Sequence, residues 1–268
     1  MASSQLPSVL TIAGSDSGGG AGIQADLKTF AAHGVHGLCA IAALTAQHTR
    51  GVSGVHVPPV EFLRLQIDAC FADFQIRAVK LGMLADAGVI HAVADALEHH
   101  RPQHLVLDPV MVATSGAKLL QPDALGALRE RLIPLATLIT PNLPEAELLL
   151  GAAIPDGAAA ERALDGLLAL GAGAVLLKGG HLSEPGQVVD RLATRAQQHR
   201  FLHPRLEVNG HGTGCTLSSA IAANLCLGLS LAEACRAGTD YVHGALEHAY
   251  RPGTSTVDVL DHLWRFKA

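Results

Sequence analysis

Apolar segments with strand character alternate with segments of helical periodicity along most of this chain, and this alternation limits the fold more than any other feature. Strands are predicted at residues 9–13, 39–44, 78–81, 105–107, 138–140, 174–177 and 188–193. Helices are predicted at residues 22–32, 60–74, 87–99, 144–150, 158–170, 216–227 and 231–250. Several strands are nearly continuous apolar runs, which is typical of parallel strands covered on both faces. The chain is therefore predicted to form a three-layer α/β/α sandwich with a mainly parallel central sheet.

Length and composition favour a single folded unit. No Pro/Ser-rich linker, charge block or repeat divides the 268 residues, so one domain over residues 1–268 is expected. Apolar residues make up 49% of the chain and charged residues 16%, which predicts a large core rather than disorder. The formal net charge is −5 without any basic tract, which argues against nucleic acid as a partner. An anionic substrate must therefore be bound by local donors.

Cysteine usage and the uncharged segments bear on the compartment. Five cysteines, an odd number without a CxxC pair, argue against a disulfide framework or a zinc ribbon, so a reducing cytoplasm is expected. The first ten residues, MASSQLPSVL, lack the basic and apolar regions of a signal peptide. Residues 216–232 carry no charge, but Ser218, Ser219 and Asn224 interrupt them, so a helix buried in protein is favoured over a membrane span.

A run of small residues at 209–215, Asn-Gly-His-Gly-Thr-Gly-Cys, opens this uncharged segment. A helix that begins there directs free N–H groups and the positive end of its dipole into the turn, which favours an anion. Cys215 stands at that helix start, where the thiol pKa is expected to be lowered. The run therefore predicts a site for a transferring phosphate with a proton acceptor beside it. The alternative for Cys215, and the interpretation for the other four cysteines, is a small buried apolar side chain.

A second glycine-rich segment follows the first predicted strand. Five glycines fall within residues 14–22, more than a simple strand-to-helix turn needs, so a loop with free amides for a polar ligand is favoured. Their spacing differs from the dinucleotide-binding fingerprint. Asp26 follows in the next helix and, taken alone, is more typical of an ordinary first-turn acid than of a ligand contact.

Three further polar clusters each follow a predicted strand. Asp108 could hold Mg²⁺ through waters or could cap a turn. Asn142 and Glu145 have the spacing of a capping box, and Glu145 could equally be a second carboxylate near magnesium. Lys178 could meet phosphate oxygens as a point charge or could lie solvated on the surface. Because ligands of parallel α/β sheets bind beyond the carboxyl ends of the strands, their joint placement predicts phosphoryl transfer.

Other catalytic signatures are absent from the sequence. GxxxxGK[ST], HRD and DFG do not occur, which excludes a P-loop enzyme and a protein kinase. HExxH does not occur either, and the 15 histidines show no recurring ligand spacing, so zinc hydrolysis is not expected. Thr213 and Leu217 occupy the positions where a nucleophile elbow around Cys215 would need glycine.

Seven motifs carry a resemblance to a known family: AGSDSGGGAGIQADLKT, TAQHT, KLGML, DPVM, TPNLPEAELL, LKGGHL and HGTGCTLSSAIAA. In this order, from about residue 9 to residue 250, the chain resembles the bacterial hydroxymethylpyrimidine and phosphomethylpyrimidine kinases of thiamine biosynthesis, which belong to the ribokinase-like superfamily. The resemblance implies a ribokinase-like fold that uses ATP and Mg²⁺. It also implies phosphorylation of 4-amino-5-hydroxymethyl-2-methylpyrimidine and then of the monophosphate, giving the pyrophosphate.

The resemblance implies a pyrimidine pocket beside the first glycine-rich loop. Gly14 and Gln47 would hydrogen-bond the ring, since a Gln amide offers both a donor and an acceptor to an aminopyrimidine edge. Asp26, Met83 and Val110 would form the rest of the pocket wall.

At the phosphate end, the resemblance implies that Asp108 and Glu145 serve the metal, with Asn142 and Lys178 at the nucleotide phosphates. The anion hole would consist of Gly212, Thr213 and Gly214. Cys215 stands where most members of the superfamily have an Asp base, so its thiolate would accept the proton of the substrate hydroxyl.

Two alternatives to the pyrimidine kinase function stay open. A pyridoxal kinase of the same branch is one, because pyridoxal also carries a ring hydroxymethyl group; a non-catalytic pyrimidine sensor on a kinase scaffold is the other.

The resemblance also bears on the partners of the chain. Members of the family are commonly homodimers, so a homodimer is expected, with no nucleic acid and no membrane as partner. The segment Tyr-Arg-Pro-Gly-Thr at 250–254 departs from the family's GHGP-like segment, so no adenine-contacting residues are assigned.

Overall fold

The apolar runs form a nine-stranded sheet in the computed structural model, which describes residues 6–112, 116, 119–121, 123–182 and 184–267. Its strands are β1 (Ser8–Asp16), β2 (His36–His48), β3 (Gly51–His56), β4 (Ile76–Leu81), β5 (His104–Leu107), β6 (Leu138–Ile139), β7 (Ala174–Leu177), β8 (Gln187–Thr194) and β9 (Gln198–Pro204). The order across the sheet is β3-β2-β1-β4-β5-β6-β7-β8-β9. The six strands from β2 to β7 in this order run parallel, whereas β3, β8 and β9 each pair antiparallel at the edges.

Helices cover both faces of this sheet. They are α1 (Gly22–Ala32), α2 (Val60–Asp73), α3 (Ala87–His100), α4 (Ala124–Ala127), α5 (Leu143–Leu150), α6 (Gly157–Leu168), α7 (Thr213–Cys226) and α8 (Leu231–Glu247). The chain continues α4 as π and 3₁₀ turns to Leu135. Residues of α1, α7 and α8 share one apolar cluster with the sheet, and residues of α2 to α6 share the other. The predicted three-layer sandwich is therefore confirmed.

The predicted elements are present with shifted ends, and four strands and the short helix α4 were missed. Strand β2 continues to His48, and α7 begins at Thr213, three residues before the predicted start. The sequence did not predict β3 or β9, because they are edge strands whose polar, exposed residues carry no apolar run. A small two-stranded parallel sheet, β10 (Gly210–His211) with β11 (Asp258–Val259), was also missed because each strand has only two residues.

Helix α7 is buried from Thr216 to Cys226, which explains its lack of charge. Its polar side chains bond within the protein: Ser219 donates to Asp26, and Asn224 donates to the carbonyl oxygen of Ala220. In the described part of the chain no helix has the length and apolarity that crossing a membrane requires.

Backbone hydrogen bonds carry the strand ends onto a common edge of the sheet. The N–H of Asp108 donates to the carbonyl oxygen of Leu81 at 2.9 Å, and the N–H of Thr140 donates to that of Leu107 at 3.0 Å. Next along the sheet, the N–H of Lys178 donates to the carbonyl oxygen of Pro141 at 2.9 Å. Residues that are far apart in sequence therefore meet where the parallel strands end.

Candidate active site

The carboxyl ends of the parallel strands open into a cavity of about 690 Å³. Every residue predicted for the site lines this cavity except Asp26. The lining residues include Gly14, Gln47, Met83, Val110, Asp108, Asn142, Glu145, Lys178, Gly212, Thr213, Gly214 and Cys215. The structure thus brings the glycine-rich loop after β1 and the start of α7 to the same space.

The start of α7 forms a cradle for an anion. Gly212 is its N-cap with φ +85°, a left-handed conformation in which a side chain is strained. A Cβ on Gly212 would also overlap the carbonyl oxygen of Gly20, so this glycine lets the two loops touch. The N–H of Thr216 is the first to bond back, to the carbonyl oxygen of Gly212, which leaves the N–H groups of residues 213–215 for a ligand.

A charged cluster stands directly against this cradle. The Nζ of Lys178 lies 2.8 Å from Oδ1 of Asp108 and 3.8 Å from Oε2 of Glu145. A Cβ on Gly214 would lie 3.0 Å from that Nζ and 3.2 Å from Oδ2 of Asp108, so the absence of a side chain at this position keeps the space between them open. The start of α7 and the charged cluster are therefore parts of one site.

Burial and the opposite charges set the protonation of this cluster. Burial disfavours the ammonium of Lys178, but the carboxylates of Asp108 and Glu145 outweigh it and raise the Lys178 pKa. Burial raises the pKa of Glu145 to about 7, and Asp108 adds to the rise while Lys178 opposes it. Lys178 therefore stays charged and faces the cradle as a fixed cation, which suits phosphate oxygens.

The segment after β6 confirms the capping-box interpretation. Oδ1 of Asn142 accepts from the N–H of Glu145 at 2.9 Å, and Oε2 of Glu145 accepts from the N–H of Asn142 at 2.7 Å. The cap fixes the Glu145 carboxylate at the start of α5, where it also faces Lys178. Its role near magnesium stays a prediction.

The other end of the cavity lies beside the first glycine-rich loop. Met83 packs against Gly14 so closely that a Cβ on Gly14 would lie 3.0 Å from the Met83 sulfur. The side chain of Gln47 is oriented by neighbours, because its Oε1 accepts from the hydroxyl of Thr45 at 3.0 Å and its Nε2 lies 3.2 Å from Nε2 of His211. An amide held over a slot shaped by glycine and methionine suits a flat polar ring.

Asp26 does not form the pocket wall, and the structure corrects that prediction. Its side chain is fully buried, and both carboxylate oxygens lie 2.9 Å from Nζ of Lys80. The hydroxyls of Thr11 and Ser219 also donate to it. Asp26 points inward because β4 supplies an ammonium beneath α1, and sequence spacing could not reveal that partner 54 positions away.

The predicted lowering of the Cys215 thiol pKa is wrong. Burial raises the pKa of Cys215 to about 11, and the carboxylates of Asp26 and Asp108 act in the same direction. The ammonium of Lys80 and the N–H of Gly22 lower it without compensating. A helix start lowers a thiol pKa only when desolvation does not exceed its effect, and here desolvation does.

Sequence reasoning missed a group that holds the first glycine-rich loop. The carboxylate of Asp16 accepts from the N–H groups of Gly18, Gly20 and Ala21 and lies 3.1 Å from Nε2 of His211. Burial raises the Asp16 pKa, but the bonds from His211 and the backbone outweigh it, so the pKa lies below its usual value. The available signal was an acid within a glycine run, where free N–H groups need an acceptor.

Sequence reasoning also missed Lys80 and a second group of residues that line the cavity, which we call the far arm. Lys80 lines the cavity from the penultimate position of β4, one residue before Leu81, and the signal was a charged residue within an apolar strand. The far arm lies beyond Lys178 and is lined by residues from β8 to α8, among them Asp190, His203, Val208, Val242, His243 and Leu246. This arm combines apolar side chains with the polar side chains of Asp190, His203 and His243.

Comparison with known proteins identifies relatives over nearly the whole chain. The family described as phosphomethylpyrimidine kinase matches residues 16–259. The hydroxymethylpyrimidine/phosphomethylpyrimidine kinase of Rhizobium meliloti is 50% identical over 90% of this chain and 91% of its own. A bifunctional thiamine biosynthesis protein of Geobacter sulfurreducens is 52% identical over 90% of this chain, which spans only 49% of that longer protein.

Solved structures share the fold. The phosphomethylpyrimidine kinase of Clostridium difficile is 43% identical, with a TM-score of 0.79 over 88% of this chain and 97% of its own. An ADP complex of Bacillus subtilis pyridoxal kinase is 32% identical, with a TM-score of 0.89 over 98% of this chain and 100% of its own. The fold is therefore shared with a phosphomethylpyrimidine kinase and a pyridoxal kinase, and the sequence identity to the first, 43%, exceeds that to the second, 32%.

Proposed function

Because the chain belongs to the phosphomethylpyrimidine kinase family, we propose that it transfers the γ-phosphoryl group of ATP to 4-amino-5-hydroxymethyl-2-methylpyrimidine and then to its monophosphate. The product of the second step is the pyrophosphate used for thiamine. The observation that carries the proposal is one cavity in which the start of α7 lies between the slot of Gly14, Gln47 and Met83 and the charged cluster at Lys178.

The proposed reaction is an in-line transfer. The hydroxyl oxygen of the pyrimidine forms a bond to the γ-phosphorus while the bond from that phosphorus to the bridging oxygen breaks, and ADP leaves with the electron pair. The hydroxyl proton passes to the thiolate of Cys215. The N–H groups at residues 213–215 donate to the transferring phosphoryl oxygens, and Lys178 balances their charge.

The thiol pKa of about 11 determines how much of Cys215 is ionised and able to act as the base at a given pH. At neutral pH only a small fraction of Cys215 is ionised, so proton transfer must accompany attack or follow a change in the surroundings of the sulfur. The cation of Lys80 favours the thiolate, whereas Asp26 and Asp108 disfavour it. Neutralising Asp108 on binding would therefore lower the thiol pKa.

The residues at the phosphate end suit Mg²⁺, which we propose as the metal. Magnesium in phosphoryl-transfer sites is held by one or two carboxylates together with substrate phosphates and waters. Asp108 and Glu145 supply two buried carboxylates at the cradle, and among the described residues no group of three or more His, Cys, Asp or Glu forms a complete metal cage. When bound, the ion would neutralise phosphate charge.

The proposed pyrimidine contacts lie at the end of the cavity beside the first glycine-rich loop. The Gln47 amide offers a donor and an acceptor to the aminopyrimidine edge, and Gly14 leaves room for the ring against Met83. Val110 lines the same end of the cavity. Asn142 and Gly214 stand at the phosphate end, where we propose that they contact the nucleotide.

The proposal also covers the domain organisation, the compartment and the oligomeric state of the chain. We propose that the chain acts as one kinase domain, in the cytoplasm, as a homodimer without nucleic acid or membrane as partner. The five cysteines are free, which suits a reducing compartment. Phe62 and Leu65 on α2 are 58% and 63% exposed, an apolar surface that a second copy could cover. Light scattering over a concentration range would measure the oligomeric state.

A single assay separates this function from its rivals. ADP release is measured with the free pyrimidine, its monophosphate and pyridoxal at equal concentrations and saturating ATP. Turnover of both pyrimidines above that of pyridoxal supports the proposal. Faster pyridoxal turnover would assign the chain to vitamin B6 instead, and no ADP release with any alcohol would indicate a non-catalytic binding protein.

A further inference from the structure

We propose that His211, paired with Asp16, is a positioning residue that holds the Gln47 amide in one orientation, with its oxygen toward His211 and its nitrogen toward Thr45. An amide held in this way selects a ring that carries a hydrogen-bond donor on the carbon next to its hydroxymethyl group. This inference rests on the proposed function, in which Gln47 contacts the substrate ring. It adds the residues that decide which way round the ring is bound.

The Gln47 side chain lies between two polar neighbours at the edge of the cavity. In one orientation of the amide, Oε1 lies 3.0 Å from Oγ1 of Thr45, and Nε2 lies 3.2 Å from Nε2 of His211. In the other orientation the nitrogen and the oxygen exchange places, and both distances stay nearly the same because the two ends of an amide have almost the same shape. The hydrogen bonds of the two neighbours therefore decide between the orientations.

His211 determines which end of the amide it faces. Its Nε2 lies 3.1 Å from Oδ2 of Asp16, and an ionised carboxylate only accepts hydrogen bonds. Burial raises the pKa of Asp16, but the hydrogen bonds to its carboxylate outweigh burial and hold the pKa below its usual value, so Asp16 is ionised at neutral pH. Nε2 of His211 therefore carries a hydrogen, and the end of the Gln47 amide beside it has to be the accepting oxygen.

Thr45 on β2 favours the same orientation independently. Its hydroxyl has a single hydrogen, which it donates to the carbonyl oxygen of Ser15 at 2.8 Å. The Thr45 oxygen is then left with lone pairs on the side of Gln47, 3.0 Å away. The end of the amide that faces Thr45 is therefore the donating N–H group.

The imidazole of His211 is held in place from several sides. Its backbone pairs with Val259 between β10 and β11. A Cβ on Gly20 would lie 2.7 Å from Cδ2 of His211, so the first glycine-rich loop packs directly on the ring. Oδ2 of Asp16, which faces Nε2, also accepts from the N–H of Gly20. Because the His211 side chain is only 10% exposed, its N–H group stays directed at these acceptors rather than at water.

The held amide presents a defined pattern to a ligand. Nε2 of Gln47 keeps a second N–H, and Oε1 keeps a second lone pair. Together they match a ring that offers an accepting nitrogen beside an exocyclic donor. In 4-amino-5-hydroxymethyl-2-methylpyrimidine these groups are N3, which accepts from Nε2, and the 4-amino group, which donates to Oε1.

The same orientation directs the hydroxymethyl group toward the phosphate cradle. The carbon that bears the amino group stands between N3 and the carbon that bears the hydroxymethyl group, so the hydroxymethyl group lies beyond the amino group, on the His211 side. His211 directly precedes Gly212, the N-cap of α7. Thr45 lies on β2, which β1 and β4 separate from the strands that precede Asp108 and Lys178. The opposite amide orientation would turn the hydroxymethyl group toward Thr45, away from the cradle.

An analogue with the reversed pattern measures the effect of the held amide. The 4-oxo analogue, 5-hydroxymethyl-2-methylpyrimidin-4-one, has an accepting oxygen at position 4 and a hydrogen on N3. A held amide sets oxygen against oxygen and N–H against N–H, which leaves buried groups without partners. An amide that is free to rotate accepts either ring. The preference for the 4-amino ring over the 4-oxo ring therefore reports how firmly the orientation is held.

The first test measures the hydrogen on Nε2 directly and does not depend on the proposed function. The full-length protein with nitrogen-15-labelled histidine is studied at pH 7.5 by long-range proton–nitrogen correlation NMR, which distinguishes a protonated from an unprotonated ring nitrogen. The spectrum of His211→Gln identifies the His211 signals among the 15 histidines. We expect a protonated Nε2. An unprotonated Nε2 would overturn the inference, because that nitrogen would accept from Gln47.

The second test measures kcat/KM for the 4-amino and 4-oxo rings at saturating ATP, or the inhibition constant of the 4-oxo ring where its turnover is too slow. His211→Phe keeps a flat ring but removes the donor, so the preference for the 4-amino ring should fall by about tenfold or more, the effect of one mismatched buried hydrogen bond. KM for ATP should stay unchanged. His211→Gln places an amide donor at a similar reach and should keep most of the preference.

The matched control is His199→Phe on the edge strand β9, which makes the same substitution outside the cavity and should keep the full preference. If His211→Phe does not fold, Thr45→Val serves as the second variant. It removes the acceptor for Nε2 of Gln47 in a side chain of the same shape, so the preference should fall in the same direction.

The kinetic results separate positioning from packing. An unchanged preference in the folded variant would overturn the inference, and so would an equal loss with both rings together with a raised KM for ATP, which would indicate a disturbed loop. A protonated Nε2 in a protein that phosphorylates neither ring would support the orientation of Gln47 while rejecting the proposed function. The two proposals are therefore separable.

Discussion

Replacing Gly214 with alanine should impair the phosphate cradle without destabilising the fold. Gly214 lies in the first turn of α7 and has no left-handed φ, so the backbone accepts alanine. The added Cβ would lie 3.0 Å from Nζ of Lys178 and 3.2 Å from Oδ2 of Asp108. Gly214→Ala therefore places a methyl group where we propose that the transferring phosphoryl group sits.

The expected change in the free energy of unfolding is small, whereas the expected loss of turnover is large. Alanine is a better helix former than glycine by up to about 1 kcal/mol, which offsets the crowding at the flexible end of Lys178, so the free energy of unfolding should change by less than about 1 kcal/mol. A reacting group displaced by about 1 Å loses about 10²-fold in rate. That loss in kcat/KM for ATP corresponds to about 2.7 kcal/mol of transition-state stabilisation.

The assay pairs ADP release with thermal unfolding of the same preparations. A change of 1 kcal/mol moves Tm by about 2–4 °C in a protein of this size, so Gly214→Ala should stay within that interval of the original Tm. The matched control is Gly126→Ala in α4, where a Cβ would meet nothing within 4 Å. It makes the same substitution in another helix and should keep full turnover.

Near-original turnover in Gly214→Ala, with an unchanged Tm, would refute the reasoning, because the start of α7 would then not receive the phosphoryl group. A large fall in Tm together with lost activity would show instead that Gly214 serves packing. The predicted combination is a preserved fold with about 1% of the original kcat/KM.

Three further predictions follow from the same site. Cys215→Ala should lower kcat by about 10²-fold or more, with little change in pyrimidine affinity measured by calorimetry; a nearly unchanged kcat would reduce the thiol to packing. Gln47→Ala should weaken binding of the pyrimidine more than that of ATP, and equal weakening of both would contradict the proposed ring contact. Asp16 has a pKa below its usual value in the folded state, so its contribution to stability is present above about pH 4 and is lost as pH falls through the folded pKa. The difference in urea midpoint between the original protein and Asp16→Asn should therefore shrink from pH 6 to pH 3; a constant difference would show that the Asp16 charge does not stabilise the loop.

Much of the fold could be predicted because its signals are local. Apolar runs of strand length and helices with apolar periodicity predict a parallel α/β sheet, and α7 was correctly interpreted as a buried helix. Strands β3 and β9 were missed because edge strands such as Gln198–Pro204 depend on pairing with a neighbour and carry no apolar run of their own.

The sequence by itself determined where the small residues and the polar side chains fall relative to strand ends, and parallel topology then places them at one edge of the sheet. The part of the cavity lined by Gly14, Asp108 and Lys178 follows from that rule. Only the tertiary structure decided that Asp26 is buried against Lys80 instead of lining the cavity, and that burial raises rather than lowers the pKa of Cys215. Charge interactions and desolvation depend on distances through space between distant segments, and no local sequence pattern contains those distances.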